Sequence, residues 1–395
     1  MATPIWLTGF EHGIYSLNGG GLFNSVSGSG TPSVVTTKKN TGSYALKIVS
    51  ASDYAYVIKT VSGSPTTLVY RFYFHFDTSF PAVNVEIFSA SLASGSWLSV
   101  YFDQATSKIG VGRQSGTVGG TPRLSSSTIS VNTWYYVDVK AVVTGGTFTM
   151  DWYLNGVAQS QYTETIAATS FIDVAIGPDA SNTSTIYYDD VVLSVTAGDF
   201  PIGAGGTEAL LPTSDGSHNA GTNIMENQAG SDIGAVAAWS LIDDIPMSTA
   251  TEYIRQLANG TGNYAEVQFA NIAAVHNAII GAMGVLAYTA ASTSGNNGGC
   301  IMSKDDFSTQ TVVWGVAGAL ADYSDGSLTD LYYKSVILAN VNNDTTVNAL
   351  EARMGYSGDA NPDPYWINLI AEVAYTVAAG PVIPVFMNQY RQRSN

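Results

Sequence analysis

Apolar and polar residues alternate along most of the first half of the chain, in runs bounded by Gly, Asn, Ser or Pro. A period of two is the mark of strands with one buried face. The runs are YALKIVS, YAYVIKTV, TLVYRFYFHF, VNVEIFSA, WLSVYFD, KIGVGR, WYYVDVKAVV, TFTMDWYLNG, IDVAIG and TIYYDDVVLSV. In TLVYRFYFHF, Leu68, Tyr70, Phe72, Phe74 and Phe76 form one wholly apolar face; Val69, Arg71, Tyr73 and His75 form a mixed one. Asn155-Gly156 supplies a hairpin turn. No stretch of this half has the period of an amphipathic helix, so two packed antiparallel sheets are expected.

TAGDFPIGAGG breaks the alternation with glycines and a proline, which predicts a linker over 198–206. Beyond it, AEVQFANI, NAIIGAMGVLAYTAA, TQTVVWGVAG, LYYKSVILANV and PYWINLIAEVAYTV read as further strands. The last sets Ile367, Leu369, Ala371, Val373, Tyr375 and Val377 against Asn368, Glu372 and Thr376. TTVNALEARMGYS fits a short helix capped by Thr345 or Thr346 and equally a strand. The expected fold class is all-β: two tandem antiparallel jelly-roll-like β-sandwiches, 1–197 and 207–380, and an extended C-terminal arm, 381–395. Cut within 198–206, the first sandwich is expected to fold alone. In the arm, Val382, Ile383, Val385, Phe386 and Tyr390 have no regular period and Arg391 and Arg393 make the tip basic. It reads either as a frayed terminus or as an assembly arm that docks on a neighbouring subunit, which implies a homo-oligomer.

TIYYDDVVLSV raises a question of its own. Strict alternation places Tyr187 and Asp189 on one face and Tyr188 and Asp190 on the other, one carboxylate among apolar neighbours on each. An unpaired buried carboxylate is costly, so Asp189 and Asp190 are read as structural, tying loops or strands through hydrogen bonds to backbone donors.

Composition and charge narrow the function. Of 395 residues only 12% are charged, with 40 glycines and 23 tyrosines, a β-rich surface protein's profile. The net charge is −16, with 13 acidic and 9 basic residues before position 200 (−4) and 18 and 6 after it (−12). That balance argues against nucleic acid and anionic membranes as partners. The single cysteine, Cys300, rules out an intrachain disulfide. MATPIWLTGF lacks a charged segment before a long apolar run, so no signal peptide is expected.

Catalytic patterns are missing. None of the nine glutamates sits in the Glu-x-Asp-x-Glu arrangement of jelly-roll glycosidases. GYSGD is out of register for a nucleophile elbow. The histidines, His12, His75, His218 and His276, are too dispersed for a zinc site. The expectation is a non-enzyme with no cofactor; calcium at the acidic turns around Asp243, Asp244, Asp305, Asp306, Asp322, Asp325, Asp359 and Asp363 is the remaining alternative.

WLTGFEHG, GSYALKI, the aromatic middle strands, NTWYYVDVKAVV, DWYLNG and the closing IYYDDVVLS come in the order seen in concanavalin A-like (laminin-G-like) jelly rolls, which residues 5–196 resemble. LLPTSDGSHNA, WSLIDDIP, NALEARMGYSGDANPDPYW and YRQR resemble segments of tailed-bacteriophage virion proteins. The resemblance implies a structural protein on a virion surface (head decoration, head fibre, or tail or collar component) that contacts other virion proteins. The alternative is a lectin-like adhesion module for a host-surface glycan, with Trp97, Trp134, Trp152 or Tyr101 stacking on sugar faces.

Overall fold

The apolar face of TLVYRFYFHF organises the first core. This run folds as the strand Thr67–Phe76, and Leu68, Tyr70, Phe72, Phe74 and Phe76 are all buried. Their rings stack across to the opposing sheet: Tyr70 and Phe72 lie 4.3 and 4.8 Å from Phe88, and Phe76 lies 5.0 Å from Phe102. Such contacts are the aromatic filling of a β-sandwich.

The computed structural model describes residues 4–15, 22–50, 54–113, 122–167, 169–178, 183–216, 225–227, 237–245, 253–256, 264–273, 275–290, 298–314, 332–356 and 364–378. The chain is all-β, with every sheet antiparallel. A nine-stranded sheet runs in the order Val157–Ala158, Thr147–Leu154, Trp134–Thr144, Thr67–Phe76, Ser184–Ser194, Ala45–Ser50, Thr31–Val35. Trp6–Thr8 adds to Ser184–Ser194, and Tyr162–Thr165 to Thr147–Leu154. The facing seven-stranded sheet runs Arg123–Leu124, Lys108–Arg113, Trp97–Asp103, Val85–Leu92, Phe171–Ile176, Ala55–Thr60, Ser25–Gly28.

The second half builds two further sheets. Six strands comprise Met225–Asn227, Ile254–Gln256, Pro364–Thr376, Ala278–Ala290 and Tyr332–Ile337 in that order, with Gly205–Leu210 also on Pro364–Thr376. Five comprise Pro212–Asp215, Tyr264–Phe269, Glu351–Tyr356, Gly298–Ser303 and Gln310–Trp314. Leu369, Ala371, Val373 and Tyr375 enter the core between these sheets, with Trp314, Met354 and Cys300. TTVNALEARMGYS resolves into both of its alternatives, a helical turn Asp344–Val347 followed by the strand Glu351–Tyr356. The cap is Asn343 rather than a threonine, and Thr346 closes the reciprocal bond of a capping box.

The other side of Pro364–Thr376 faces the first half. Ile370 and Ala374, with Ile280 and Met283, belong to the same buried cluster as Leu7 and Val192. The approach is close enough that a Cβ on Gly9 would fall 1.5 Å from Thr207 Oγ1. The 198–206 stretch packs as well. Asp199 accepts from Ser194 Oγ at 2.6 Å, Ile202 is buried, and Gly203 N donates to Asp138 Oδ2 at 2.9 Å.

Removing residues 198–395 strips Leu7 and Val192 of the apolar residues of the second half while leaving the aromatic core between the first two sheets. The fragment 1–197 is therefore expected to melt cooperatively, at a lower temperature than the same residues in the full chain. Calorimetry of the two proteins side by side measures the difference.

Candidate functional site

The site grows out of an irregularity in Ser184–Ser194. Its ladder with Thr67–Phe76 slips between Asp189 and Val192, and Asp190 has φ +50. This is a β-bulge, one extra residue that re-aims its neighbours. Both carboxylates consequently reach the same pair of residues, against the one-per-face placement that alternation predicts. Asn40 N donates to Asp189 Oδ2 at 2.7 Å. Asp190 accepts from Asn40 Nδ2 at 2.7 Å, Thr41 Oγ1 at 2.7 Å and Thr207 Oγ1 at 2.9 Å. The tyrosines do alternate: Tyr188 is in the core, and Tyr187 lies on the outer face beneath Lys47, 5.9 Å away, and beside His75, 5.7 Å away.

Around the two aspartates the halves of the chain meet through buried polar groups. Glu372 Oε1 accepts from Glu11 N at 2.6 Å and lies 2.9 Å from His12 Nδ1. Glu11 in turn accepts from Ser43 N at 2.7 Å and Tyr44 N at 3.3 Å. Arg71, fully buried, donates to Gly203 O at 3.0 Å, and Gly205 N donates to Tyr73 Oη at 3.0 Å. Burial raises every one of these acids whose shift is resolved. Glu11 rises to about 8, with Ser43 opposing and Glu372 reinforcing. Asp138 rises to about 6 against the pull of Arg71. Asp189 goes well above the usual carboxylate range through burial and the neighbouring Asp190. Asp190 is raised by burial despite Arg71 and three side-chain donors. Among the described residues, no group of three or more His, Cys, Asp or Glu is disposed to hold a metal ion.

Beside this seam the outer face of the nine-stranded sheet carries a row of rings. Trp134 pairs across the ladder with His75, and Tyr136 with Tyr73, at centroid distances of 5.2 and 5.1 Å. Trp134 and Tyr136 are half-buried, as is Tyr153 on the next strand, which meets Phe200 at 5.3 Å. Polar groups flank the row: Lys38 Nζ donates to Asn132 Oδ1 at 3.0 Å and lies 3.8 Å from Asp77 Oδ1. His75 is held below its ordinary pKa by burial, with Lys38 adding to the effect. Lys140 pairs with Asp151 at 2.7 Å. Burial alone would raise Asp151, but hydrogen bonds from Lys140 and Gln161 outweigh it and its pKa is lowered.

Of the four aromatics singled out from the sequence, Trp134 lies in this row. Trp152 is buried, its Nε1 donating to Ser160 O at 3.0 Å. Tyr101 is buried against Gly110, and Trp97 stands half-buried on the opposite sheet. Asp305 caps a turn, accepting from Thr309 N at 2.7 Å. His276 bonds Asp344 at 2.7 Å, and Cys300 is buried. His218, Asp322, Asp325, Asp359, Asp363 and the whole arm, including Val382, Ile383, Val385, Phe386, Tyr390, Arg391 and Arg393, lie outside the described residues. No described helix is long and apolar enough to cross a membrane. Sequence reasoning missed Glu11, His12 and Glu372. The signal was there for Glu372, a lone carboxylate inside the long apolar run WINLIAEVAY.

No protein-family profile matches the chain, and no curated protein does. Several solved structures are similar to part of the chain. The cellulose-induced protein Cip1 is 15% identical over 48% of this chain and 97% of its own, with a TM-score of 0.37. The carbohydrate-binding module CBM66 from Bacillus subtilis is 11% identical over 43% and 94%, with a TM-score of 0.28. For a sialidase of Trypanosoma rangeli the figures are 13% identity, 42% of this chain, 27% of that one and a TM-score of 0.29. The chain thus spans about a quarter of that sialidase.

Replacing Asp190 with alanine removes the acceptor shared by Asn40 Nδ2, Thr41 Oγ1 and Thr207 Oγ1, leaving Thr41 Oγ1 only the longer bond to Thr207 O at 3.5 Å. The expected loss is about 1–3 kcal/mol of stability, read as a lower urea midpoint. An unchanged midpoint would show that these donors find other partners.

Proposed function

We propose that the protein is a non-enzymatic adhesion module that holds a glycan on the open part of the outer face of the nine-stranded sheet. The observation that carries this reading is the row of half-buried rings, Trp134 and Tyr136 foremost, on the outer face of a sheet beside Lys38, Asn132, Asp77 and Lys47. A sugar ring presents C–H faces and hydroxyl edges. Aromatic surface suits the first, and amide, carboxylate and ammonium groups suit the second. A binding role is favoured over hydrolysis because glycoside cleavage uses one acid kept protonated beside an ionised partner. Here the partly exposed carboxylates beside the row, Asp77 and Asp151, are each paired with a lysine, Asp151 has its pKa lowered, and the one raised acid next to Tyr136, Asp138, is buried beneath the surface.

The setting we propose is a virion surface, where such a module recognises a host glycan and contacts other virion proteins. That placement rests on the sequence resemblance of residues 200–395, and the homo-oligomer and assembly arm on the composition of 381–395.

A glycan array with the full chain tests the reading. For any glycan retained, Trp134→Ala is expected to weaken binding about tenfold while the circular dichroism spectrum is unchanged. Binding that survives the loss of both Trp134 and Tyr136 would move the site elsewhere, and an array without hits would remove the adhesion reading.

A further inference from the structure

The interface between the two halves holds more acid than it can neutralise. Glu11, Asp138, Asp189, Asp190 and Glu372 are each at most 2% exposed, and the bases among them are Arg71 and His12, equally buried. With all five acids ionised and both bases charged, the cluster would carry −5 + 2 = −3. Its hydrogen bonds are also incomplete: Glu372 Oε2, Asp138 Oδ1, His12 Nε2 and Arg71 Nη2 have no partner among the described residues. Buried like charges at this density repel strongly unless protons neutralise them.

We propose that this seam is a proton-operated latch, closed while Glu11 holds a proton and loosened when Glu11 loses it. Glu11 is the pivot because it is joined to both halves. Its own backbone N–H bonds Glu372 of Pro364–Thr376, while its carboxyl group accepts from Ser43 and Tyr44. Every packed element presents its charge there. Ser184–Ser194 brings Asp189 and Asp190, Thr67–Phe76 brings Arg71, and Trp134–Thr144 brings Asp138 behind it. The adjoining loop brings Tyr44, and Pro364–Thr376 brings Glu372 and Tyr375. His12 is bonded to Glu372. From Gly205–Leu210 comes Thr207, whose neighbour Glu208 accepts instead from Ala273 N at 3.1 Å. An ionised Glu11 therefore faces Glu372 and Asp190 with Arg71 already engaged by Asp190 and Gly203.

The direction follows from linkage. In the closed seam Glu11 titrates near 8 instead of near its ordinary 4.5. The closed form thus binds a proton that the open form gives up between those values. Its contribution is complete below the ordinary value and is lost as pH rises through the raised one. Asp138, Asp189 and Asp190, also raised, act with the same sign.

Hydrogen exchange of the full chain from about pH 6 to about pH 9, corrected for intrinsic rates, tests this. Amides of Gly205–Leu210 and of residues 9–13 should lose about tenfold or more of their protection across that range, while those of Thr67–Phe76 hold theirs. Glu11→Gln, which keeps the size and one acceptor oxygen for the shorter bond from Ser43 N but cannot ionise, should flatten most of the loss. The proposal is overturned if seam and core amides respond alike in the wild-type protein, a comparison that decides even where the variant does not fold. It is equally overturned if Glu11→Gln folds and its seam loosens with pH as the wild type does.

Discussion

One carboxylate bridges three parts of the chain. Asp190 accepts from Asn40 and Thr41 of the loop after Thr31–Val35 and from Thr207 of Gly205–Leu210, and it does so from a left-handed backbone, φ +50. A non-glycine residue in that region is strained and persists where its surroundings fix it. Here they are the bulge of the closing strand, the guanidinium of Arg71 and the three donors. Loss of any one leaves a buried carboxyl group short of partners, so closing strand, loop and second half are set in place together.

The same interaction explains why the two halves meet as they do. Apolar contact alone, Leu7 and Val192 against Ile280, Met283 and Ile370, brings two surfaces together but has little directional preference. Buried polar groups supply direction, because each tolerates few geometries. The Thr207–Asp190, Glu11–Glu372 and Gly203–Asp138 bonds admit one register of the six-stranded sheet on the nine-stranded one. The ring row lies just beyond, with Tyr73 common to both through its bond from Gly205. Where the seam ends, the sheet's outer face becomes accessible, and there Trp134 and Tyr136 stand half-buried.

The division between what the sequence determined and what tertiary structure decided falls along the range of the forces involved. Alternation is local, so the strands Thr67–Phe76, Trp97–Asp103 and Lys108–Arg113 have the same ends as the runs TLVYRFYFHF, WLSVYFD and KIGVGR, and the buried ring stripe of the first core follows from period alone. Glu351–Tyr356 and the turn before it were ambiguous because a few residues satisfy both periods. Met225–Asn227 and Ile254–Gln256 have only three residues each, too few for any period to register. That Asp189 and Asp190 turn to one side was decided by a bulge, a slip against a partner strand more than a hundred positions away. That Glu11, His12 and Glu372 converge was decided by two halves folding onto each other, since hydrogen bonds and buried charge select partners by distance in space. Residue order therefore determined the strands and their inward faces; which polar groups met, and which rings stayed near solvent, came only from the packing of one sheet on another.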